Sequence, residues 1–436
     1  MKVNRTIPPT AAPIYLRDLI HGLIGIFSGK RYIQRLEQEI KARFGVKHVF
    51  FASSGKAALT LILKALKSLN QKQEALIPAY TCFSVPSAIV KAGLKVSLCD
   101  INSSTFDFDY KLLEKTINKD TLCVMPNHLF GISADMDRIN SICKDKGVFV
   151  VEDAAQAMGG SYKGSKLGTI GDVGFFSLGR GKNITCGSGG IIITNSDKIA
   201  NAIDKHYSNL EEPGIIESLK EFLEILLTAI FIRPSLYWFP AGLPFLKLGQ
   251  TIFYKDFPIK KLSGMKAGLL RGWQEKLEKV NQIRKENGEY FNERLRSRLR
   301  LSNGNAQSLF PSPLWGEGQG EGVYLRLPVL INNKEIRDEI FSLSNKKGLG
   351  VNSMYPTPLN EIEEIRSHFN GKLFPSAKKI ADGLLTIPTH QFLSRKDKED
   401  ICNLFNEAYN KIPIMNNSKA SVTGNGKEGK RFASYN

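Results

Sequence analysis

Between residues 48 and 153, short apolar runs rich in β-branched and aromatic residues alternate with stretches of helical periodicity. The runs are HVFFA, EALIP, KVSLCDI, TLCV and VFVVED; between them lie KAALTLILKAL, SVPSAIVKAG, LLEKTI and MDRINSICKDKG. Fully apolar strands separated by helices predict an α/β architecture, a mostly parallel sheet covered on both faces. In such a sheet ligands collect beyond the carboxyl ends of the strands. Residues 53–55, residues 80–83, His128 and Asp153 all fall at those ends.

Asp153 closes the run VFVVED. A buried carboxylate there needs a positive partner or it takes up a proton. About thirty residues later, a return length suited to a crossover connection, Lys182 sits in GRGKNITCGSGG, between the strand-like runs GDVGFFSL and GGIIITN. Its glycines let backbone and a bound group approach closely. A lysine partly desolvated in such a loop has a lowered pKa and can serve as both nucleophile and proton shuttle. A carboxylate for a pyridine nitrogen and an amine for an aldehyde are what pyridoxal phosphate requires. Each residue alone is ambiguous, since Asp153 could cap a helix at AAQAM and Lys182 could be a surface lysine. Ser53, Ser54, Gly55 and Lys56 open the next helix, where free N–H groups can cradle a phosphate and Ser177 can add a hydrogen bond. For the serine pair, an ordinary N-cap is the competing reading.

The net charge of +18 admits nucleic acid, an anionic membrane surface or an anionic small substrate as partners. No basic run is interleaved with aromatics, so nucleic acid is not expected. Cys82, Cys99, Cys123, Cys143, Cys186 and Cys402 are scattered without a C-x-x-C pair. Neither a metal site nor a disulfide framework is expected, and a cytoplasmic setting fits. The apolar piece LIHGLIGIF lacks the form of a secretory signal, and no run is long enough to span a bilayer.

Residues 218–253 form an apolar insert, read as a short helix followed by a Pro/Gly-broken segment. It is expected to pack at a subunit interface or over the active site, or else to lie peripherally on the inner membrane surface. A long charged helix is predicted over 265–295, and a low-complexity loop over 302–322. The division expected is a large domain over 1–258, a smaller α+β domain over 259–415 and a disordered tail over 416–436.

The chain resembles the DegT/DnrJ/EryC1/StrS family of pyridoxal-phosphate sugar aminotransferases. The resemblance is carried by SSGKAAL, PNHLFGISADMDRI, VVEDAAQAMGGSYKGSKLGTIGDVGFFSL, MYPTPLNE and FPSAKKIADGLLTIPTH. It implies a fold-type I transferase with Lys182 as the Schiff-base lysine, Asp153 on the pyridine nitrogen and Gln156 near the ring hydroxyl. Ser54, Gly55, Lys56 and Ser177 would hold the phosphate, with Lys56 in the place of the family's threonine. His128 and Tyr355 would face the substrate. Cys82 takes the position where an aromatic ring stacks on the cofactor, with Tyr80 and Phe83 nearby. Other departures are Ser188 in GSGG, Asn360 in YPTPLN, and Ile259 followed by Lys260 and Lys261, where relatives carry an acid, a histidine and an asparagine.

The resemblance further implies a homodimer and a ping-pong transfer from an amino-acid donor, glutamate in this reading, to a nucleotide-linked keto-sugar. The product would feed polysaccharide, lipopolysaccharide or antibiotic sugars. The rival readings are a sugar dehydratase, against which Lys182 argues, and a non-catalytic or regulatory homologue.

Overall fold

The computed structural model describes residues 3–412 except 247, 250, 303–319 and 370. Most of the predicted low-complexity loop, and all of the tail from 416, lie outside the described residues.

Helices α1 (Leu16–Phe27) and α2 (Gly29–Phe44) lead into β1 (His48–Ala52). The predicted alternation follows as α3 (Gly55–Leu69), β2 (Glu74–Pro78), α4 (Ser84–Lys91), β3 (Lys95–Cys99), α5 (Tyr110–Thr116), β4 (Thr121–Val124), α6 (Met136–Lys146) and β5 (Phe149–Asp153). A small hairpin, β6 (Ser161–Tyr162) and β7 (Ser165–Lys166), precedes β8 (Val173–Ser177), β9 (Gly190–Thr194) and α7 (Asp197–Tyr207). The seven-stranded sheet runs β1-β9-β8-β5-β4-β2-β3. Strand β9 is antiparallel to β8 and β1, and the other pairs are parallel. This is the mostly parallel sheet that the sequence predicts.

Both faces are covered because the strands are apolar on both sides; β4 and β9 are buried at every position. On one face Leu59, Ile62, Leu63 and Leu66 of α3 pack with Ile77 and Ile192. On the other, Leu36, Ile40 and Phe44 of α2 meet Phe176, Ile191 and Ile193.

The insert is more ordered than its sequence indicates. Helix α8 (Ile215–Phe231) is followed by a second helix, α9 (Pro234–Ala241), where a broken segment was expected. Pro234 sits at the first turn of α9, where a missing N–H costs nothing, and Pro240 falls near its end. The predicted long helix is also divided. Gly272, at φ +70°, separates α10 (Gly264–Leu269) from α11 (Trp273–Ser302). Helix α10 lies against α1 and the start of α2 at backbone distance, for a Cβ on Gly264 would stand 2.6 Å from the Gly25 carbonyl oxygen and 2.1 Å from the Gly29 Cα.

Strand β10 (Gly320–Glu321) pairs with β6. Beyond it β11 (Arg326–Leu330) pairs antiparallel with β12 (Leu384–Pro388). With α11, α12 (Lys334–Lys347) and α14 (Arg395–Lys411) they enclose a separate core around Phe291, Val329, Ile340 and Phe405. Helix α13 (Pro375–Gly383) instead joins the core of the large sheet through Ala377 and Ile380.

Candidate active site

Asp153 ends β5 and is 4% exposed. Its Oδ1 accepts the Ala155 N–H at 3.1 Å, and no cation touches it among the described residues. Burial raises its pKa; the Ala155 hydrogen bond and the charges of Lys182 and His128 oppose the rise. Lys182 lies in the loop between β8 and β9, held by its N–H on Gly179 O at 3.2 Å. Burial lowers its pKa, Cys82 and Asp153 oppose the change, and Arg326 and Arg284 reinforce it. No ion pair or hydrogen bond engages Lys182 Nζ among the described residues. The two groups therefore form a carboxylate and an amine that burial pushes toward their neutral forms.

At the start of α3, Ser54 Oγ accepts the Ala57 N–H at 3.1 Å, so this serine is an N-cap. It leaves the Gly55 and Lys56 N–H groups as the helix's open donors. Ser177 faces them closely: a Cβ on Gly55 would come 3.0 Å from the Ser177 Cβ and 3.1 Å from its Oγ. Lys56 Nζ turns away to lie 4.7 Å from the Tyr254 ring centre and 4.6 Å from that of Phe257, a cation–π arrangement.

Gln156 is buried, accepting the Phe130 N–H through Oε1 at 3.1 Å and donating to the Tyr355 hydroxyl at 2.9 Å. Tyr355 meets the Cys82 thiol, and its ring centre stands 5.7 Å from that of Tyr80 in an edge-on arrangement. Tyr80 donates its hydroxyl to Met354 O, and Phe83 is buried in the sheet core. Half-buried Cys82 is the member of that trio that acts electrostatically on Lys182.

The structure builds His128 into its own loop. It has no exposed surface; its Nδ1 accepts the Ala134 N–H at 3.1 Å and its Nε2–H donates to Glu152 Oε1 at 2.9 Å. Both nitrogens are consumed in holding the loop.

Pyridoxal phosphate fits this arrangement. A buried carboxylate without a cation, an amine without a partner, and open N–H groups kept clear by Gly55 and flanked by Ser177 offer one group each for the ring nitrogen, aldehyde and phosphate.

The family model described as the DegT/DnrJ/EryC1/StrS aminotransferase family matches residues 24–406. The chain belongs to this family. Family members depend on pyridoxal phosphate. The chain is 35% identical over 203 residues to the GDP-perosamine synthase of Vibrio cholerae, covering 46% of this chain and 53% of that protein. It is 34% identical over 253 residues to the UDP-2-acetamido-2-deoxy-3-oxo-D-glucuronate aminotransferase of Pseudomonas aeruginosa, covering 52% and 70%. The chain spans about half the length of the Vibrio cholerae relative and of other curated relatives that it matches. Among solved structures, Spr1654 from Streptococcus pneumoniae in its PLP-form shares the fold, at TM-score 0.70 and 22% identity over 93% of this chain and 99% of that one.

Against the DegT pattern, the departures are compensated from within the chain. Ser188 Oγ donates to Ser53 O at 3.1 Å and accepts from Lys266 Nζ at 3.0 Å, while Lys266 pairs with Glu221 of α8. Lys260 reaches Glu217 of α8 at 2.9 Å and Lys261 reaches Glu212 at 3.2 Å, so both are engaged within this chain. Helix α8 and the residues just before it thus supply carboxylates to Lys260, Lys261 and Lys266. Asn360 Oδ1 is buried with no partner among the described residues.

Two buried arginines, Arg284 and Arg326, escape the sequence reading. The available signal was an arginine opening the otherwise apolar strand RLPVL.

Proposed function

We propose that this chain is a pyridoxal-phosphate-dependent aminotransferase that passes an amino group from an amino acid, glutamate in this reading, to a keto-sugar carried on a nucleotide. The observation that carries the reading is the pairing of cation-free Asp153 with unpartnered Lys182 across one buried site. The names of the GDP-perosamine synthase and UDP-sugar aminotransferase relatives support the substrate class, and surface-polysaccharide or related sugar biosynthesis follows from it.

When bound, pyridoxal phosphate supplies an electron sink for the bond that breaks at the substrate carbon. Asp153 would hold a proton on the ring nitrogen. The Gly55 and Lys56 N–H groups and Ser177 Oγ would grip the phosphate, and Cys82 would pack on the ring. Gln156, fixed by Phe130 and Tyr355, would orient the ring's polar edge. Lys182 Nζ, its pKa lowered by burial, would take the proton from the donor carbon and return one to the acceptor carbon. The test is turnover of nucleotide-linked keto-sugars with glutamate by the reconstituted protein. Failure across the sugar panel, with cofactor bound, would favour the non-catalytic reading.

The partner reading is a homodimer. Leu16, Ile20, Leu23, Ile24 and Phe27 expose one stripe of α1, and Ile216, Leu219, Leu223, Leu227 and Ile230 expose one stripe of α8. The two helices touch, so the stripes form one apolar face. A bilayer surface is the alternative occupant; among the described residues no helix is long and apolar enough to cross a membrane. Sedimentation of wild type and Leu223→Glu, beside flotation with anionic liposomes, separates the two. We also propose that residues 1–258 and 259–415 act as large and small domains, which limited proteolysis tests.

A further inference from the structure

Two guanidinium groups act on Lys182, Arg284 through a hydrogen bond to its carbonyl and Arg326 through its charge, with no acid against either among the described residues. Arg284, on α11, has no exposed surface. Its Nη2 donates to Ala11 O at 2.7 Å and Lys182 O at 3.0 Å, while Nε and Nη1 are buried without a partner. Arg326, at the start of β11, is 8% exposed. Its Nη1 donates to Thr386 Oγ1 at 3.1 Å, and Met354 Sδ lies 4.0 Å away. Tyr355 and Tyr237 are its electrostatic neighbours. No carboxylate pairs with either arginine among the described residues. Burial pulls both down, Arg284 to about 9 and Arg326 to about 10, which still leaves them cationic at neutral pH.

Burying an unpaired charge is costly unless something completes it. Arg284 has a partial account, for its two carbonyl bonds pin the N-terminal segment and the lysine loop together. Arg326 has one hydroxyl. Of its two electrostatic neighbours, Tyr237 comes from insert helix α9. That helix is tied down by the Thr6 N–H on Pro234 O at 2.9 Å.

We propose that Arg326 is the carboxylate-binding group of this site, positioned by Thr386 and by Met354, the residue next to Tyr355. The planar guanidinium fork matches a carboxylate in two parallel hydrogen bonds. The carboxylate comes either from the amino-acid donor or from an acidic sugar. The inference rests on the aminotransferase reading for its substrates, but carboxylate binding can be measured apart from turnover.

The experiment compares wild type, Arg326→Gln and Arg326→Lys, each reconstituted with pyridoxal phosphate. Glutarate and glucuronate are titrated by calorimetry and by thermal shift. At least one should bind wild type and raise its Tm, and its Kd should weaken at least about 30-fold in Arg326→Gln. Arg326→Lys keeps the charge but loses the fork, and should recover only part of the affinity. A matching rise in KM for glutamate alone identifies the donor carboxylate; a rise confined to an acidic sugar identifies the acceptor. If neither probe shifts wild type, or if a folded Arg326→Gln binds both as wild type does, the proposal is overturned. Carboxylate binding without any aminotransfer would instead sink the functional reading and leave this one standing.

Discussion

His128 Nε2 donates to Glu152 Oε1 at 2.9 Å, with neither side chain exposed. Glu152 also accepts the N–H groups of Gly168, Ile170 and Gly171. Burial alone would raise the Glu152 carboxyl, but the His128 and glycine contacts outweigh it and hold the pKa below its usual value. The next residue, Asp153, has one N–H on its carboxylate and is raised. Adjacent carboxylates on opposite faces of one strand are thus driven apart, one satisfied by the fold and one left for a ligand.

Removing the satisfied pair should damage stability. His128→Ala is expected to cost about 2–4 kcal/mol, from the cavity and the lost charge-assisted hydrogen bond. Because Glu152 is depressed, its contribution is present above the ordinary glutamate pKa and is lost as pH falls through the folded one. Urea unfolding at pH 7 and pH 4 should therefore show a larger gap between wild type and variant at pH 7.

For Asp153 the sign reverses. A raised carboxyl penalises the fold at pH values above its folded pKa, and the penalty vanishes below the ordinary aspartate value. Asp153→Asn should stabilise the cofactor-free protein at pH 7, by a few degrees in Tm, and have no such effect near pH 3. The same variant should bind pyridoxal phosphate poorly. A lower Tm at pH 7 would show that the carboxylate is structural.

The contact of α10 with α1 and the start of α2 leaves no room for a methyl group. Gly264→Ala drives a Cβ against Gly25 of α1 and Gly29 of α2 and is expected to cost about 2–3 kcal/mol. Gly214→Ala, where a Cβ meets nothing within 4 Å, is the matched control and should be near neutral. Thermal denaturation of both variants reads the difference.

Lys182 should react at unusually low pH. With its pKa lowered by burial, more amine is neutral near pH 8 than in an exposed lysine. The rate of cofactor capture by the apo-protein should rise with pH and level off below the ordinary lysine value. A rate still rising beyond that value would contradict the burial argument.

Much of this was legible because each strand is a short apolar run and each strand end carries its chemistry at once. Asp153, Gln156 and Lys182 stand where the alternation VFVVED, AAQAM and GRGKN places them. The role of His128 was not legible, because a strand-end histidine looks the same whether its nitrogens face a ligand or, as here, Glu152 and Ala134. Helix α9 was missed because proline punctuates its sequence, yet Pro234 occupies the one turn that tolerates it. The environment of Arg326 depends on β11, β12 and α9 converging from distant parts of the chain, which local periodicity does not encode.

The most direct test of the account is borohydride trapping of the protein with pyridoxal phosphate, followed by peptide mapping. The account expects one cofactor adduct, on Lys182, formed fully in wild type and weakly in Asp153→Asn. An adduct on another lysine, or none on a folded protein at saturating cofactor, would contradict it.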